Sequence, residues 1–152
     1  EAEPLLRELF KLDYPEYQVC YEENNIWFND KYPWAHASLD GWLIDQDGRK
    51  GIWECKTTNI LQSMQKEKWD HRIPDNYYIQ VLHYLMVTEF NYVVLKAQLK
   101  SVYGEDVYLQ TRHYSIERSG VEEDIKHLIE EESKFWEHVQ MKKAPALKLP
   151  EI

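Results

Sequence analysis

The chain has 152 residues, of which 43% are hydrophobic, so we expect one folded domain with its own core rather than a disordered chain. Its formal net charge of −9 excludes a protein that coats nucleic acid non-specifically, since such a protein would be basic. It leaves open an enzyme with an acidic metal site, because bound cations neutralise the acidic residues. No apolar run approaches the ~18 residues that cross a membrane, no secretory leader is recognisable, and the two cysteines lack metal-like spacing. We therefore expect a single cytoplasmic domain over residues 1–152, with neither a disulfide framework nor a zinc site.

The first third of the chain predicts one helix followed by short strands. Residues 4–12 are expected to form a helix, because leucines recur there at helical spacing and Pro4 suits a first turn. Strands are expected over Tyr17–Glu22 and Ile26–Phe28, with a turn at Asn24-Asn25 between them.

The segment from residue 36 to residue 58 predicts a β-hairpin, because Asp47-Gly48 lies between two apolar runs. Folding the chain back about residues 46–48 places Asp40 opposite Glu54, or one step away. Glu54 and Lys56 occupy alternate positions, about 6.6 Å apart along a strand, so they share one face while Cys55 faces the other way.

Two carboxylates this close repel each other unless a cation lies between them. Oxygen ligands with room for water suit Mg²⁺ or Mn²⁺, and the backbone carbonyl of Cys55 could add a ligand. Lys56 could then orient or deprotonate a water, or stabilise charge on the phosphate. The alternative is that Glu54 and Lys56 form only a solvated face, although their apolar neighbours favour a buried strand pair.

The rest of the chain predicts helix, hairpin and helix around a mixed sheet, that is, an α/β sandwich. The expected elements are a helix over Ile60–Trp69, a helix over Asp75–Thr88, strands over Tyr92–Leu99 and Val107–Ile116, and a long helix from a capping box at Ser119–Glu122 to about Met141. The residues of this last helix expected to face inward are Ile125, Leu128, Ile129, Phe135, Trp136 and Val139. Its glutamates, interpreted as a solvated face, are Glu122, Glu123, Glu130, Glu131 and Glu132. The tail after Ala144 carries two prolines and is expected to pack loosely or to reach a neighbour.

Several polar residues allow two interpretations. The basic group Lys66, Lys68, His71 and Arg72 is either a solvated face or a loop that contacts phosphates beside the acidic site. Gln80 is either a locally satisfied core amide or a site residue. His36 is either an extra metal ligand or a strand histidine bonded locally, and His83 is expected to be an ordinary helix histidine.

The order of these motifs resembles a known family. Asp40, followed after a hairpin turn by Glu54-Cys55-Lys56, resembles the PD-(D/E)XK nuclease signature, with Leu39 in the place of the proline. Gln80-Val-Leu-His-Tyr84 is similar to the Gln-x-x-x-Tyr helix motif of RecB-type nucleases. Glu3-Pro-Leu-Leu-Arg7-Glu-Leu-Phe10 and the segment from Tyr77 to Thr88 resemble the YqaJ and lambda exonuclease branch. The likeness covers residues 3–98.

This resemblance implies a restriction-endonuclease-like core, a mixed central sheet flanked by helices, and a Mg²⁺-dependent exonuclease, with Mn²⁺ as a substitute. The implied reaction is hydrolysis of linear double-stranded DNA, 5′ to 3′, in phage-type recombination. The implied metal ligands are Glu3, Asp40, Glu54 and the Cys55 carbonyl. The implied catalytic residues are Asp40, Glu54, Lys56 and Gln80, and the expected substrate contacts are Tyr77, Tyr84, Lys66, Lys68 and Arg72.

The resemblance also implies partners: double-stranded DNA ends, a single-strand annealing protein and two further copies in a ring-shaped homotrimer, with no membrane. We expect the upstream segment with which the branch grips a 5′-phosphorylated end to be missing, which leaves polarity, processivity and ring formation open. One alternative is an endonuclease or RecB-like nuclease of another repair or defence pathway. Another is an inactive DNA-binding or interaction module, which is disfavoured because the Asp, Glu and Lys positions are all filled.

Overall fold

The structure, a computed structural model, describes residues 2–61 and 63–142. Its helices are α1 (Glu3–Asp13), α2 (Ser63–Glu67), α3 (Asp75–Thr88) and α4 (Glu122–Gln140). Its strands are β1 (Gln18–Cys20), β2 (Trp27–Phe28), β3 (His36–Ala37), β4 (Gly41–Ile44), β5 (Lys50–Ile60), β6 (Tyr92–Tyr103) and β7 (Asp106–Glu117). None of the helices in this part of the chain is long and apolar enough to cross a membrane.

Five strands form one mixed sheet in the order β1-β4-β5-β6-β7, and β2 pairs with β3 separately. β5 and β6 run parallel, whereas the other neighbours in the large sheet are antiparallel. A tight turn can connect antiparallel strands but not parallel ones. The chain therefore crosses over between β5 and β6, and α3 lies in this crossover. A mixed sheet flanked by helices confirms the predicted α/β class and is consistent with a restriction-endonuclease-like core.

Two hydrophobic clusters hold helices against the sheet. Leu6 and Phe10 of α1 pack with Leu43, Trp53 and Val94 in one cluster. In the other cluster, the buried side chains of α3 pack with those of β5 and β6 that point the opposite way, and Ile125 of α4 joins them. Because side chains alternate along a strand, α1 lies on one face of β5, whereas α3 and α4 lie on the other.

The predicted hairpin turn is confirmed. Asp45 Oδ1 accepts hydrogen bonds from the backbone N–H groups of Asp47, at 3.0 Å, and Arg49, at 2.8 Å. Gly48 has φ +79°, a left-handed conformation that glycine adopts without a steric penalty. The register then runs from Ile44 opposite Lys50 to Gly41 opposite Trp53. One further step places Asp40 opposite Glu54, as the sequence predicts.

The predicted helix over Ile60–Trp69 is wrong in extent. β5 continues through Thr57 to Ile60, and only Ser63–Glu67 is helical. Residues 57–60 pair in parallel with residues 98–101 of β6. That partner lies far along the chain, so its pairing overrides the polar, loop-like composition of the segment.

The prediction for the last helix needs three corrections. Ser119 does not cap it: a short 3₁₀ turn, Arg118–Gly120, precedes the helix, and Glu122 pairs with Arg118 at 3.2 Å instead of reaching back to Ser119. Phe135 and Val139 do not face inward but are 56% and 46% exposed. Buried packing is confined to the first turns of α4, around Ile125. The third correction, at Glu132, is described with the site. The tail after Ala144 lies outside the described residues.

Candidate active site

Asp40 and Glu54 meet where β4 and β5 begin to separate. Asp40 precedes the first residue of β4, and its Oδ2 accepts a hydrogen bond from the backbone N–H of Cys55 at 2.9 Å. Glu54 is 3% exposed, and its Oε2 is buried without a hydrogen-bond partner among the described residues. A buried oxygen of this kind is costly unless something outside the protein chain satisfies it.

The electrostatics of the pair reflect burial and mutual repulsion. Burial first, and then Asp40, raise the pKa of Glu54 well above its usual value, while Lys56 opposes the shift. Burial and Asp40 also raise the pKa of Glu3. Three carboxylates thus lie close enough to affect one another, and like charges held this close favour the binding of a cation between them.

Glu3 and Arg7 reach this site from α1. Arg7 Nη2 donates to Glu3 Oε1 at 3.1 Å, and Arg7 Nε donates to the backbone carbonyl of Asp40 at 3.0 Å. No role is predicted for Arg7 from the sequence, although it follows Glu3 by one helical turn, the spacing at which such a pair forms. Helix α1 therefore brings one carboxylate and one guanidinium to Asp40.

Lys56 shares a face with Glu54, as the strand alternation predicts. Its Nζ lies 3.7 Å from Glu54 Oε1 and 4.8 Å from the centroid of the Tyr77 ring. The ammonium is thus placed between a carboxylate and the face of an aromatic ring, where cations are attracted. A solvated face does not describe this pair, since Glu54 is buried and Lys56 is mostly so.

Gln80 and Tyr84 of α3 bond to each other: Gln80 Nε2 donates to Tyr84 Oη at 2.8 Å. Burial first, and then the negative charge of Glu54, raise the pKa of Tyr84, which keeps its hydroxyl protonated and able to donate. Asp40 also contributes to this shift, whereas the hydrogen bond to Gln80 opposes it. The amide of Gln80 is thus bonded locally, as one of its two interpretations predicts, and a role at the site stays a prediction.

Cys55 faces the opposite side of β5 and packs against the cluster around α1. Burial first, and then the nearby carboxylates, raise the pKa of its thiol to about 12. The sulfur therefore stays protonated and is a poor ligand for a cation. Any contribution of Cys55 to a metal would come from its backbone carbonyl.

The basic residues predicted to contact substrate lie apart from the carboxylates. Lys66, Lys68 and Arg72 are all exposed. Lys68 and Arg72 line a small cavity beside Pro74, at the start of α3, and Arg72 also lines a cavity of about 930 Å³. Trp69, which follows Lys68, packs against Tyr77 with ring centroids 5.5 Å apart. The basic segment and the Lys56 site are therefore connected through two aromatic rings in contact, whose planes are tilted by 38°.

His83, expected to be an ordinary helix histidine, joins three elements. Its Nδ1 lies 2.6 Å from Glu132 Oε1 on α4, and its Nε2 lies 2.9 Å from the backbone carbonyl of His36 on β3. Trp34 donates to the other oxygen of Glu132 at 3.4 Å. Glu132 is thus wrongly predicted as part of a solvated face. His36 itself is exposed, and its ring lies beside that of Phe28.

Within residues 2–61 and 63–142, no group of three or more His, Cys, Asp and Glu side chains is arranged as a ready-made metal site. The site offers two carboxylates, and proteins commonly hold Mg²⁺ through one or two carboxylates together with water and substrate phosphate. The unpartnered Oε2 of Glu54 fits such an ion, because the ion would supply the missing partner. Glu3 is the less direct candidate, since its Oε1 is bonded to Arg7.

Comparison with known proteins adds independent information. The family model described as "YqaJ-like viral recombinase domain" matches residues 1–91. The uncharacterized protein YqaJ of Bacillus subtilis (strain 168) is 34% identical over 118 residues, which are 77% of this chain and 33% of that protein. The chain thus spans only a third of the length of that relative. The crystal structure of SSO0001 shows 12% identity and a TM-score of 0.36 over 84% of this chain and 54% of that one, a likeness too weak to carry an argument.

Proposed function

Because this chain belongs to the YqaJ-like viral recombinase domain family, we propose that it is a metal-dependent deoxyribonuclease that hydrolyses phosphodiester bonds. The more specific part of the proposal is an exonuclease that digests linear double-stranded DNA, 5′ to 3′, in phage-type recombination. Mg²⁺ is the proposed ion, and Mn²⁺ is the proposed substitute.

The observation that carries this proposal is the pairing of Asp40 with a nearly fully buried Glu54, beside the ammonium of Lys56. A buried carboxylate with an unpartnered oxygen reduces stability unless a ligand compensates for it. Carboxylates with perturbed pKa values beside a charged partner are frequent in catalytic sites. The family assignment makes phosphodiester hydrolysis the reaction that best fits the three groups.

Each residue of the site has a proposed role. The bound ion would activate a water and stabilise charge on the scissile phosphate. Asp40 and Glu54 would hold that ion, with Glu3 and the Cys55 carbonyl as further ligands. Lys56, fixed against Tyr77, would orient the attacking water or stabilise the developing charge. Because the hydroxyl of Tyr84 stays protonated, it would donate to a phosphate oxygen while Gln80 holds it in place.

The proposed DNA contacts extend from the carboxylates along α3 to the basic segment before it. Tyr77 contacts both Lys56 and Trp69. The exposed cations Lys66, Lys68 and Arg72 flank Trp69 in the sequence. Cations here would neutralise backbone phosphates without reading the base sequence. A homotrimer and a single-strand annealing partner remain proposals drawn from the family resemblance.

The experiment that tests this function compares linear duplex DNA with covalently closed circles in Mg²⁺, Mn²⁺ and chelator. We expect linear DNA to be degraded from its ends in either metal, with no cleavage in chelator. Asp40→Asn, Glu54→Gln and Lys56→Met are each expected to lower the rate by at least ~10²-fold. Glu123→Gln and Lys126→Met, which change exposed residues of α4 by the same charge, are the matched controls and should leave the rate unchanged.

Two outcomes would contradict the proposal at different levels. Cleavage of closed circles as fast as linear DNA would replace the exonuclease by an endonuclease while keeping the metal site. Absence of metal-dependent cleavage of any DNA, or full activity of Asp40→Asn and Lys56→Met, would overturn the nuclease assignment itself.

A further inference from the structure

Arg7 is a buried cation that bonds to two parts of the candidate site at once. We infer that Arg7 is a positioning residue that fixes Asp40 and Glu3 in the arrangement that binds the divalent ion, an inference that rests on the proposed function. Its side chain is 8% exposed, and it donates to the Asp40 carbonyl at 3.0 Å and to Glu3 Oε1 at 3.1 Å. The first contact joins α1 to the start of β4, and the second lies within α1.

Asp40 depends on such contacts because it lies just outside the sheet. β4 begins at Gly41, so the strand ladder does not hold the Asp40 backbone. Two hydrogen bonds take over this role: Arg7 binds its carbonyl, and the Cys55 N–H binds its carboxylate. The first sets the direction of the peptide group and the second sets the direction of the side chain. Loss of the Arg7 bond would therefore free the residue at its backbone.

Glu3 depends on Arg7 in a different way. It occupies the first residue of α1, where a helix readily frays, and it faces the negative charge of Asp40. Arg7, one turn later, counters this repulsion and holds one of the two carboxylate oxygens.

The guanidinium of Arg7 contacts aromatic rings in addition to the two groups to which it donates hydrogen bonds. Its central carbon lies 3.6 Å from the ring centroid of Tyr21 and 5.9 Å from that of Trp53. A planar fork of N–H groups held against an aromatic ring can serve two acceptors in fixed directions, which a lysine ammonium cannot do. The planar shape of the arginine side chain is therefore required at this position, and not only its positive charge.

Charge and position predict opposite effects on metal binding. Replacing Arg7 by a neutral residue makes the surroundings of Asp40 more negative, and a purely electrostatic role then predicts tighter binding of a divalent cation. A positioning role predicts weaker binding, because the oxygens lose their arrangement. Partners of metal ligands commonly change affinity by 10–100-fold when they are removed.

Arg118 provides a matched control. It also donates to backbone carbonyls, those of Leu85 and Phe90, and pairs with a carboxylate four residues away, Glu122. Its side chain is 22% exposed, and its partners lie on α3 and α4 rather than beside Asp40. Arg118→Met therefore removes the same kinds of contact without touching the site.

The experiment measures Mn²⁺ binding by calorimetry together with thermal unfolding for the wild type, Arg7→Met, Arg7→Lys and Arg118→Met. We expect Arg7→Met to raise the Mn²⁺ dissociation constant at least tenfold, about 1.4 kcal/mol. Arg7→Lys, which keeps the charge but not the fork, should still raise it about threefold or more. Arg118→Met should lower the melting temperature but keep the wild-type affinity. If Arg7→Met does not fold, Arg7→Lys carries the test.

The result that overturns the inference is unchanged or tighter Mn²⁺ binding by folded Arg7→Met, or wild-type affinity in Arg7→Lys. A failure of the proposed function is distinguishable, because the wild type would then bind no Mn²⁺ that depends on Asp40 and Glu54. Asp40→Asn and Glu54→Gln, titrated in the same way, provide that reference.

Discussion

At the scale of single residues, the site depends on how Lys56 is held. A lysine side chain has several rotatable bonds, and fixing it costs conformational entropy. Here the ammonium of Lys56 lies 3.7 Å from Glu54 Oε1, which attracts it. The centroid of the Tyr77 ring lies 4.8 Å from the same nitrogen and restricts its movement. From the sequence, Tyr77 is predicted to contact the substrate. Its ring, near the start of α3, already has a partner within the protein, the ammonium of Lys56.

Replacing Tyr77 by leucine should lower the maximal cleavage rate about tenfold, because the ammonium loses the aromatic face that orients it. Cation–π contacts of this kind contribute about 0.5–2 kcal/mol. The measurement is the rate at saturating Mg²⁺ and DNA. Tyr77→Phe, which keeps the ring and loses only the hydroxyl, serves as the control and should retain most of the rate. Equal losses in both variants would assign the effect to the hydroxyl instead.

At the scale of elements, α3 connects the site to α4. Gln80 and Tyr84 of this helix, the second of which has its pKa raised by Glu54 and Asp40, bond to each other. His83 bonds to Glu132 of α4 and to the His36 carbonyl. The Glu132 bond is the main cause that raises the pKa of His83, and burial opposes it. Proton uptake by this histidine is thus coupled to the packing of the helix that holds the site.

The sign of this coupling can be tested. A histidine whose pKa is higher in the folded than in the unfolded state contributes its full stabilisation at pH values below its ordinary pKa of 6.5. The stabilisation is lost as the pH rises through the raised pKa of the folded state. We expect His83→Gln to reduce the free energy of unfolding by ~1 kcal/mol at about pH 6 and by less at about pH 8. Urea titrations at both pH values measure the difference. His127→Gln, on an exposed part of α4, should show no such dependence on pH.

The segment between α2 and α3 carries a prediction about DNA. If Lys68 and Arg72 contact phosphates, removing either should weaken binding equally for unrelated sequences. Each should also reduce the slope of log affinity against log salt by about 1. The measurement is fluorescence anisotropy with a labelled duplex over a range of salt in Ca²⁺, which supports binding while limiting cleavage. Lys134→Met, distant on α4, is the control, and equal slopes in all three variants would remove this segment from the interface.

At the scale of the whole molecule, the net charge of −9 opposes the approach of DNA. Several cations are already paired with carboxylates, among them Lys11, Lys31, Arg49 and Arg118. Long-range attraction to phosphate is therefore weak, and local charges at the site must compensate. A divalent ion between Asp40 and Glu54 would supply part of this compensation.

Duplex binding should consequently require the ion. We expect the dissociation constant for a blunt duplex to rise at least tenfold when Ca²⁺ is replaced by chelator at moderate salt. Electrophoretic mobility shift in both conditions measures it. The double variant Asp40→Asn/Glu54→Gln, which lacks the repelling charges, should lose most of this dependence. Tight binding of the wild type in chelator would contradict the expectation.

How far the sequence predicts the fold depends on how local each contact is. The turn at Asp47-Gly48 and the helix Asp75–Thr88 are set by neighbouring residues, and both were predicted correctly. The extension of β5 to Ile60 depends on a partner in β6, so its own composition does not reveal it. The contact between His83 and Glu132 joins residues 49 positions apart, and no periodicity connects them.

The candidate site shows the same division. Strand alternation placed Glu54 and Lys56 on one face, and the hairpin placed Asp40 opposite, so the center of the site follows from short-range rules. The role of Arg7 does not, because its acceptor is a backbone carbonyl 33 positions away. Phe135 and Val139 have the spacing of an inward face, but packing is confined to the first turns of α4, which periodicity alone does not indicate.

The parallel pairing of β5 with β6 also orders events during folding. Asp40 and Glu54 are close in sequence and meet as soon as their hairpin closes, whereas Tyr84 arrives only when the long crossover through α3 has formed. Contacts between distant segments form slowly because loop closure opposes them. The two acids therefore face each other early, with only water and dissolved ions to separate them. A divalent cation bound between them at that stage would stabilise the hairpin before the rest of the chain has folded around it.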